Sequence, residues 1–141
     1  MRDFFDTSVL VPAFLDEHAH HEASLAAFLK ADKKHSCCAA HSLAEFYSTL
    51  TRMPGKYHAR PEEALLFLEN LDERLTFIAL DPQEYYSALV GYAELGIAGG
   101  RIYDGLLARC ALKARAEFIY TWNLDHFRVL GPEVARRVRT P

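Results

Sequence analysis

The sequence predicts a three-layer α/β/α fold, with a central parallel sheet of four to five strands between layers of helices. Three observations carry this prediction. Apolar runs of strand length recur at residues 4–5, 36–40, 75–80 and 117–121. Stretches with apolar residues at helical spacing separate them. Regular alternation of the two is the pattern that a parallel sheet covered on both faces produces.

Each element has a local reason. Phe4-Phe5, flanked by aspartates, reads as a very short first strand. Residues 8–15 and 19–31 read as two helices broken near Asp16-Glu17-His18. Residues 36–40 are small and apolar, as in a buried strand, and 42–53 form a helix in which Ser42 and Glu45 match the S-x-x-E capping box. Pro54-Gly55 ends that helix, and Pro61 opens the next, 62–72, at the favoured first position. Residues 75–80 are the clearest strand. Asp81-Pro82-Gln83-Glu84 then combines an N-cap, an N1 proline and an N3 glutamate. That helix runs to about Leu95 and breaks over residues 96–100. The next, 102–115, places Leu106, Leu107, Cys110, Ala111 and Ala114 on its buried face. A strand at 117–121 and a short helix from Gly131-Pro132-Glu133 complete the chain.

The chain has 141 residues, 50% of them hydrophobic, which suits one compact domain spanning 1–141. The longest apolar runs are far shorter than a membrane span, and Asp3 and Asp6 interrupt the place where a signal peptide would be hydrophobic. A soluble, cytoplasmic protein is therefore expected. Cys37, Cys38 and Cys110 form no CxxC pair and read as buried thiols. The net charge of −3 argues mildly against a protein held on nucleic acid by bulk electrostatics, so any such contact must be local or metal-assisted.

Four acids fall where a strand ends or a helix begins: Asp6, Glu45, Asp104 and Asp125. Parallel α/β sheets build sites at the carboxyl ends of their strands. Carboxylates gathered there repel one another unless a cation neutralises them, so convergence implies bound metal. Each acid also has a structural reading. Asp6 suits an N-cap, Glu45 the third position of the capping box, Asp104 the dipole of its helix, and Asp125 a turn beside Asn123.

Their surroundings decide between these readings. Phe5-Asp6-Thr7-Ser8, the Leu43-Ala44-Glu45-Phe46-Tyr47 helix with Arg52, Ile102-Tyr103-Asp104-Gly105-Leu106, and Thr121-Trp122-Asn123-Leu124-Asp125-His126-Phe127 occur in that order. With these motifs the chain resembles the PIN-domain family of metal-dependent nucleases, and VapC-like ribonuclease toxins in particular. The resemblance covers nearly the whole chain. It implies Mg²⁺ or Mn²⁺ held by Asp6, Glu45 and Asp104, with the fourth position falling on Asp125 or on Asn123. It implies that Thr7, Ser8, Thr121, Asn123 and Arg52 contact the substrate or its ordered water. It further implies an endoribonuclease acting on RNA phosphodiesters, a cognate antitoxin, and a homodimer.

Two other functions remain open at this level: a catalytically weak PIN-like module that binds RNA or protein, and an RNA- or DNA-processing nuclease that is not a toxin. Several residues have a bland and a functional reading each. His18, His20 and His21 read as exposed loop histidines rather than a transition-metal site, because no cysteine or acid completes a known spacing. His41, His126, Arg101, Lys56 and Arg60 are near-site candidates. Arg136, Arg137 and Arg139 form a small basic tail, and Tyr85, Tyr86 and Tyr92 suit packing better than base stacking.

Overall fold

A computed structural model describes residues 1–141, apart from the side chain of Tyr57. The elements follow in the order β1 (Asp3–Phe5), α1 (Thr7–Ala13), α2 (His21–Leu29), β2 (Ser36–Ala39), α3 (His41–Arg52), a 3₁₀ turn (Gly55–Tyr57), α4 (Pro61–Arg74) and β3 (Thr76–Ile78). Then come α5 (Pro82–Glu94), α6 (Arg101–Lys113), β4 (Phe118–Tyr120), α7 (Leu124–Arg128), α8 (Pro132–Ala135) and β5 (Val138–Arg139). The sheet has five strands in the order β3-β2-β1-β4-β5. All its pairings are parallel, with Phe4 opposite both Cys37 and Ile119. The expected three-layer arrangement is present.

Two residues at the centre of the sheet show how it is held. Neighbouring strand residues point to opposite faces, so Phe4 and Phe5 enter different cores. Phe4 joins Cys37, Leu107, Ile119, Phe127 and Val134 on one face. Phe5 joins Val9, Leu10, Cys38, Phe46, Leu50 and Leu71 on the other. The adjacent cysteines divide in the same way, and all three are free and buried. Burial pushes the Cys37 thiol up to about 12 and that of Cys110 up to about 11, so neither is a nucleophile at neutral pH.

Local chemistry explains the helix ends. Asp81 Oδ1 accepts from the Glu84 backbone N–H at 2.8 Å, and Glu84 Oε1 returns the bond to the Asp81 N–H at 2.9 Å. At the far end of α5, Gly96 adopts φ +74°, and the Ile97 N–H reaches back to the Tyr92 carbonyl at 3.0 Å. That is a Schellman ending, which a left-handed glycine permits. The α6 helix ends the same way, two residues earlier than the sequence suggests, with Arg115 itself at φ +56°.

Three expectations change. Ser42 does not cap α3, because the helix begins at His41 on an Ala40 N-cap, and the buried Ser42 hydroxyl has no partner. The segment around Asp125 is a helix, α7, rather than a turn. The arginine-rich tail adds the fifth strand: Arg136 and Arg137 pair with Glu133, and the Arg139 guanidinium lies 4.4 Å from the Phe118 ring centroid. Among the described residues, no helix is long and apolar enough to cross a membrane.

Gly105 sets how closely α6 approaches α5. A Cβ there would lie 2.8 Å and 2.9 Å from ring carbons of Tyr92, a side chain only 5% exposed. The ring has little room to yield. Gly105→Ala is therefore expected to destabilise the protein by about 1–3 kcal/mol, the usual cost of overpacking, as read by urea unfolding. An unchanged midpoint would show that the helices can separate at no cost.

Candidate metal centre

The chain runs from β1 outward to β2 and β3, then returns to set β4 on the other side of β1. The carboxyl ends of β1 and β4 thus border the crevice where open α/β sheets bind ligands. Asp6 follows β1 directly, and its N–H bonds the Tyr120 carbonyl of β4 at 2.9 Å. The residue as a whole is 2% exposed. Although Asp6 is the N-cap of α1, its side chain makes no capping bond. Instead, Oδ2 accepts from the Ser8 hydroxyl at 2.7 Å and from the Thr121 hydroxyl at 2.7 Å.

Those two hydroxyls are themselves tied to the backbone beyond β4. Ser8 Oγ accepts from the Trp122 N–H at 3.0 Å, and Thr121 Oγ1 accepts from the Asn123 N–H at 2.9 Å. Both hydroxyl protons are committed to Asp6, so the 3.2 Å between Ser8 Oγ and Thr121 Oγ1 is a close approach rather than a further bond. Thr121 is completely buried. It cannot touch a substrate, as the family resemblance implied, and positions Asp6 instead.

A cleft of about 410 Å³ opens over Asp6, with Glu45, Asp104, Thr7 and Asn123 on its walls. Glu45 reaches it from the second turn of α3, and its Oε1 accepts from the Thr7 hydroxyl at 3.0 Å. The missing Ser42 cap leaves this carboxylate available for the cleft. Asp104 enters from the first turn of α6 and lies 3.4 Å from His126 Nδ1. Asp125 does not enter. Its side chain is 96% exposed, 3.8 Å from Arg128 on the outer face of α7. The fourth wall position is Asn123, whose side chain makes no cap bond to α7. Arg52 lies in an adjoining groove with His41 and Thr49, and Glu45 and Thr49 line both spaces. Among the described residues, Arg52 has no charged partner.

The electrostatics of the cleft are such that a bound cation would relieve them. Burial pushes the Asp6 carboxyl up to about 6; its two hydroxyl bonds pull down, and the Asp104 and Glu45 charges add to the rise. Asp104 is also raised, chiefly by burial, against the pull of His126 and Arg101. Among the described residues, no three His, Cys, Asp or Glu side chains form a ready-made cage. An ion held here would therefore need waters or phosphate oxygens to complete its shell, as Mg²⁺ and Mn²⁺ commonly do. The oxygen donors of Asp6, Glu45 and Asp104, with neutral Asn123, fit such an ion.

Other side chains on the cleft carry little signal in the sequence. His18, His20 and Trp122 form part of its wall. The anchoring role of Thr121, the pairing of His126 with Asp104 and the stacking of His20 on Trp122 all join residues far apart in the chain. Tyr85 and Tyr86 are exposed on α5, outside this cleft, while Tyr92 is buried.

Comparison with known proteins agrees with this architecture. The PIN domain family model matches residues 4–131. Ribonuclease VapC40 of Mycobacterium tuberculosis is 32% identical over 114 residues, covering 81% of each chain. Ribonuclease VapC27 of the same organism is 33% identical over 112 residues, covering 79% of this chain and 78% of its own. Among solved structures, VapC20 of M. tuberculosis, described as a Sarcin-Ricin loop cleaving toxin, superimposes with a TM-score of 0.70 at 15% identity, over 88% of this chain and 92% of its own. VapBC2 from Rickettsia felis, bound to a DNA fragment from its promoter, gives 0.68 at 19% identity, over 99% of this chain and 98% of the matched one.

Proposed function

The chain belongs to the PIN domain family, and from that premise we propose that it is a Mg²⁺- or Mn²⁺-dependent endoribonuclease acting as the toxin of a toxin–antitoxin pair. The observation that carries this reading is the meeting of Asp6, Glu45 and Asp104 on one cleft at the carboxyl edge of the sheet. A divalent cation bound there supplies Lewis-acid polarisation of a phosphate and a water of lowered pKa. The protein's own part is to hold the oxygens in place. Ser8 and Thr121 fix Asp6 through Oδ2 and leave Oδ1 for the ion; Thr7 orients Glu45, and His126 orients Asp104. Arg52, in the adjoining groove, offers a charge to the phosphate chain. In this reading water is the nucleophile and no covalent enzyme intermediate forms, because the Thr7 and Ser8 hydroxyls on the cleft are already committed to Glu45 and Asp6.

The fourth position belongs to Asn123 in this reading, and Asp125 is dispensable. Asp125→Asn should leave cleavage within about twofold of the parent, the small effect usual for an exposed ion pair. Asn123→Ala should lower it measurably under the same conditions. The reverse order would return the role to Asp125. A neutral fourth ligand also favours one tightly held cation over two, so calorimetric titration with Mn²⁺ should show a single strong site.

Apolar surface supports both proposed partners. The α5 helix leaves Tyr86, Leu89 and Val90 exposed, which suits a homodimer, and a groove of about 560 Å³ with apolar Phe14, Leu25 and Phe67 and charged Asp16 and Glu63 on its walls suits an amphipathic antitoxin segment. A cytoplasmic setting follows from that role. The deciding experiment incubates the purified protein with total RNA in Mg²⁺ or in EDTA and maps new 5′ ends. Cation-dependent cuts at defined sites are expected; identical RNA in both reactions would sink the proposal.

A further inference from the structure

Two stacked ring pairs stand on opposite sides of the carboxylates. His20 lies on Trp122 with centroids 3.8 Å apart and planes 9° from parallel. His41 and Tyr103 lie 6.1 Å apart at 12°. Their placement follows from topology. Trp122 comes just after β4 and His41 just after β2, and these strands are the two neighbours of β1, which carries Asp6. The flanking strands are about 9–10 Å apart, twice the ordinary strand spacing. Tyr103 immediately precedes Asp104, and the His41 groove shares Glu45 with the cleft.

Three of these rings are exposed, and the fourth, that of Trp122, is half-buried and held by a hydrogen bond. Tyr103 is 53% exposed, and His20 and His41 are exposed as well. The Trp122 indole N–H donates to the fully buried Ser24 hydroxyl at 2.9 Å. Its backbone N–H donates to Ser8, the same residue that holds Asp6. The His20 backbone N–H is fixed by His18 Nδ1 at 3.0 Å. The Trp122 ring, fixed by its indole bond, loses little freedom on taking up a partner. The net charge of −3 leaves little bulk attraction for a polyanion, so affinity must come from contacts of another kind.

We propose that His20–Trp122 and His41–Tyr103 are stacking platforms that receive unpaired RNA bases on either side of the scissile phosphate. The proposal rests on the nuclease reading above and assigns the side chains by which this chain holds the strand. A duplex occupies its base faces within its own stack, so only unpaired nucleotides can use the rings. Stacking tolerates any base, so the platforms position the strand and leave sequence choice to other contacts.

The test uses a labelled single-stranded oligoribonucleotide, its duplex form, and fluorescence anisotropy on Asp104→Asn protein in EDTA, where nothing is cut. His20→Ala and Tyr103→Ala should each weaken binding by about tenfold, the effect of losing one base–aromatic stack. Tyr103→Phe should bind like the parent, and the duplex should bind poorly. On otherwise unaltered protein with Mg²⁺, both alanine variants should raise KM with kcat within about threefold. Alanine variants that bind and cleave as the parent does, or a duplex bound as tightly as the single strand, would overturn the platforms. Ring-dependent binding without any cleavage by the parent would uphold them and remove only the nuclease reading. Absence of binding and cleavage by the parent would overturn both.

Discussion

Asp104→Asn and Asp6→Asn are each expected to cut cation-dependent RNA cleavage by roughly 10³-fold or more, the rate equivalent of losing several kcal/mol of charge stabilisation at the phosphate. An asparagine keeps the shape and one oxygen of each side chain, so the loss isolates the charge. Circular dichroism should be unchanged, because Asp104 packs into no core cluster and the Ser8 and Thr121 hydroxyls can donate to the oxygen of an amide at position 6. The measurement is an initial rate on end-labelled RNA at saturating Mg²⁺. Full activity in both variants would show that the three acids are not the metal site.

The same substitution at position 6 is expected to stabilise the metal-free protein. Burial raises the Asp6 carboxyl from the ordinary 3.8 to about 6, so between those values the folded state holds a proton that the unfolded state has released. Stability from this group is therefore fully present below pH 3.8 and is lost as pH rises through about 6. Above that range, ionised Asp6 costs the fold roughly 3 kcal/mol, since each pKa unit is worth about 1.4 kcal/mol. Asp6→Asn lacks this penalty. In EDTA it should match the parent near pH 4 and exceed it by up to about 3 kcal/mol at pH 8 in urea unfolding. Millimolar Mn²⁺ should raise the parent by mass action and leave the variant unmoved. Parallel stability curves for the two proteins from pH 4 to 8 would contradict the origin assigned to the shift.

Together these outcomes describe a site that spends stability on a charge the fold does not need. Three acids share a cleft, one of them almost without solvent, and repulsion among them favours whatever cation relieves it. The hydroxyls of Ser8 and Thr121 make ionised Asp6 tolerable without neutralising it.

Most of the architecture was legible before any coordinates. The strand at 36–40 was recognisable from its small apolar residues, and α5 from its Asp81-Pro82 opening, because both signals are local. The second-strand pair Cys37-Cys38 dividing between two cores follows from pleating alone. The two-residue strand β5 was hidden, since Val138–Arg139 has no apolar run and forms only because β4 offers it an edge. The S-x-x-E match at Ser42 misled for a related reason. A capping motif says where a helix can start, and the sheet, by placing Ala40 against Ile78 through a 2.8 Å backbone bond, set the actual start at His41.

The candidate site divides along the same line. Asp6, Glu45 and Asp104 sit in short motifs at strand ends and helix starts, and the alternating pattern is enough to direct all three to one edge. That Asn123 lines the cleft while Asp125 lies outside it depended on the helical turn of α7, which carries Asp125 outward. One of the two hydroxyls that hold Asp6 comes from a residue 115 positions away, and the indole beside it is anchored across 98. Periodicity and capping are properties of a few consecutive residues, so the sequence by itself determined most of the elements and that Asp6, Glu45 and Asp104 lie near their ends. Hydrogen bonds and ring contacts across the sheet need two strands already in register, and only the tertiary structure decided those.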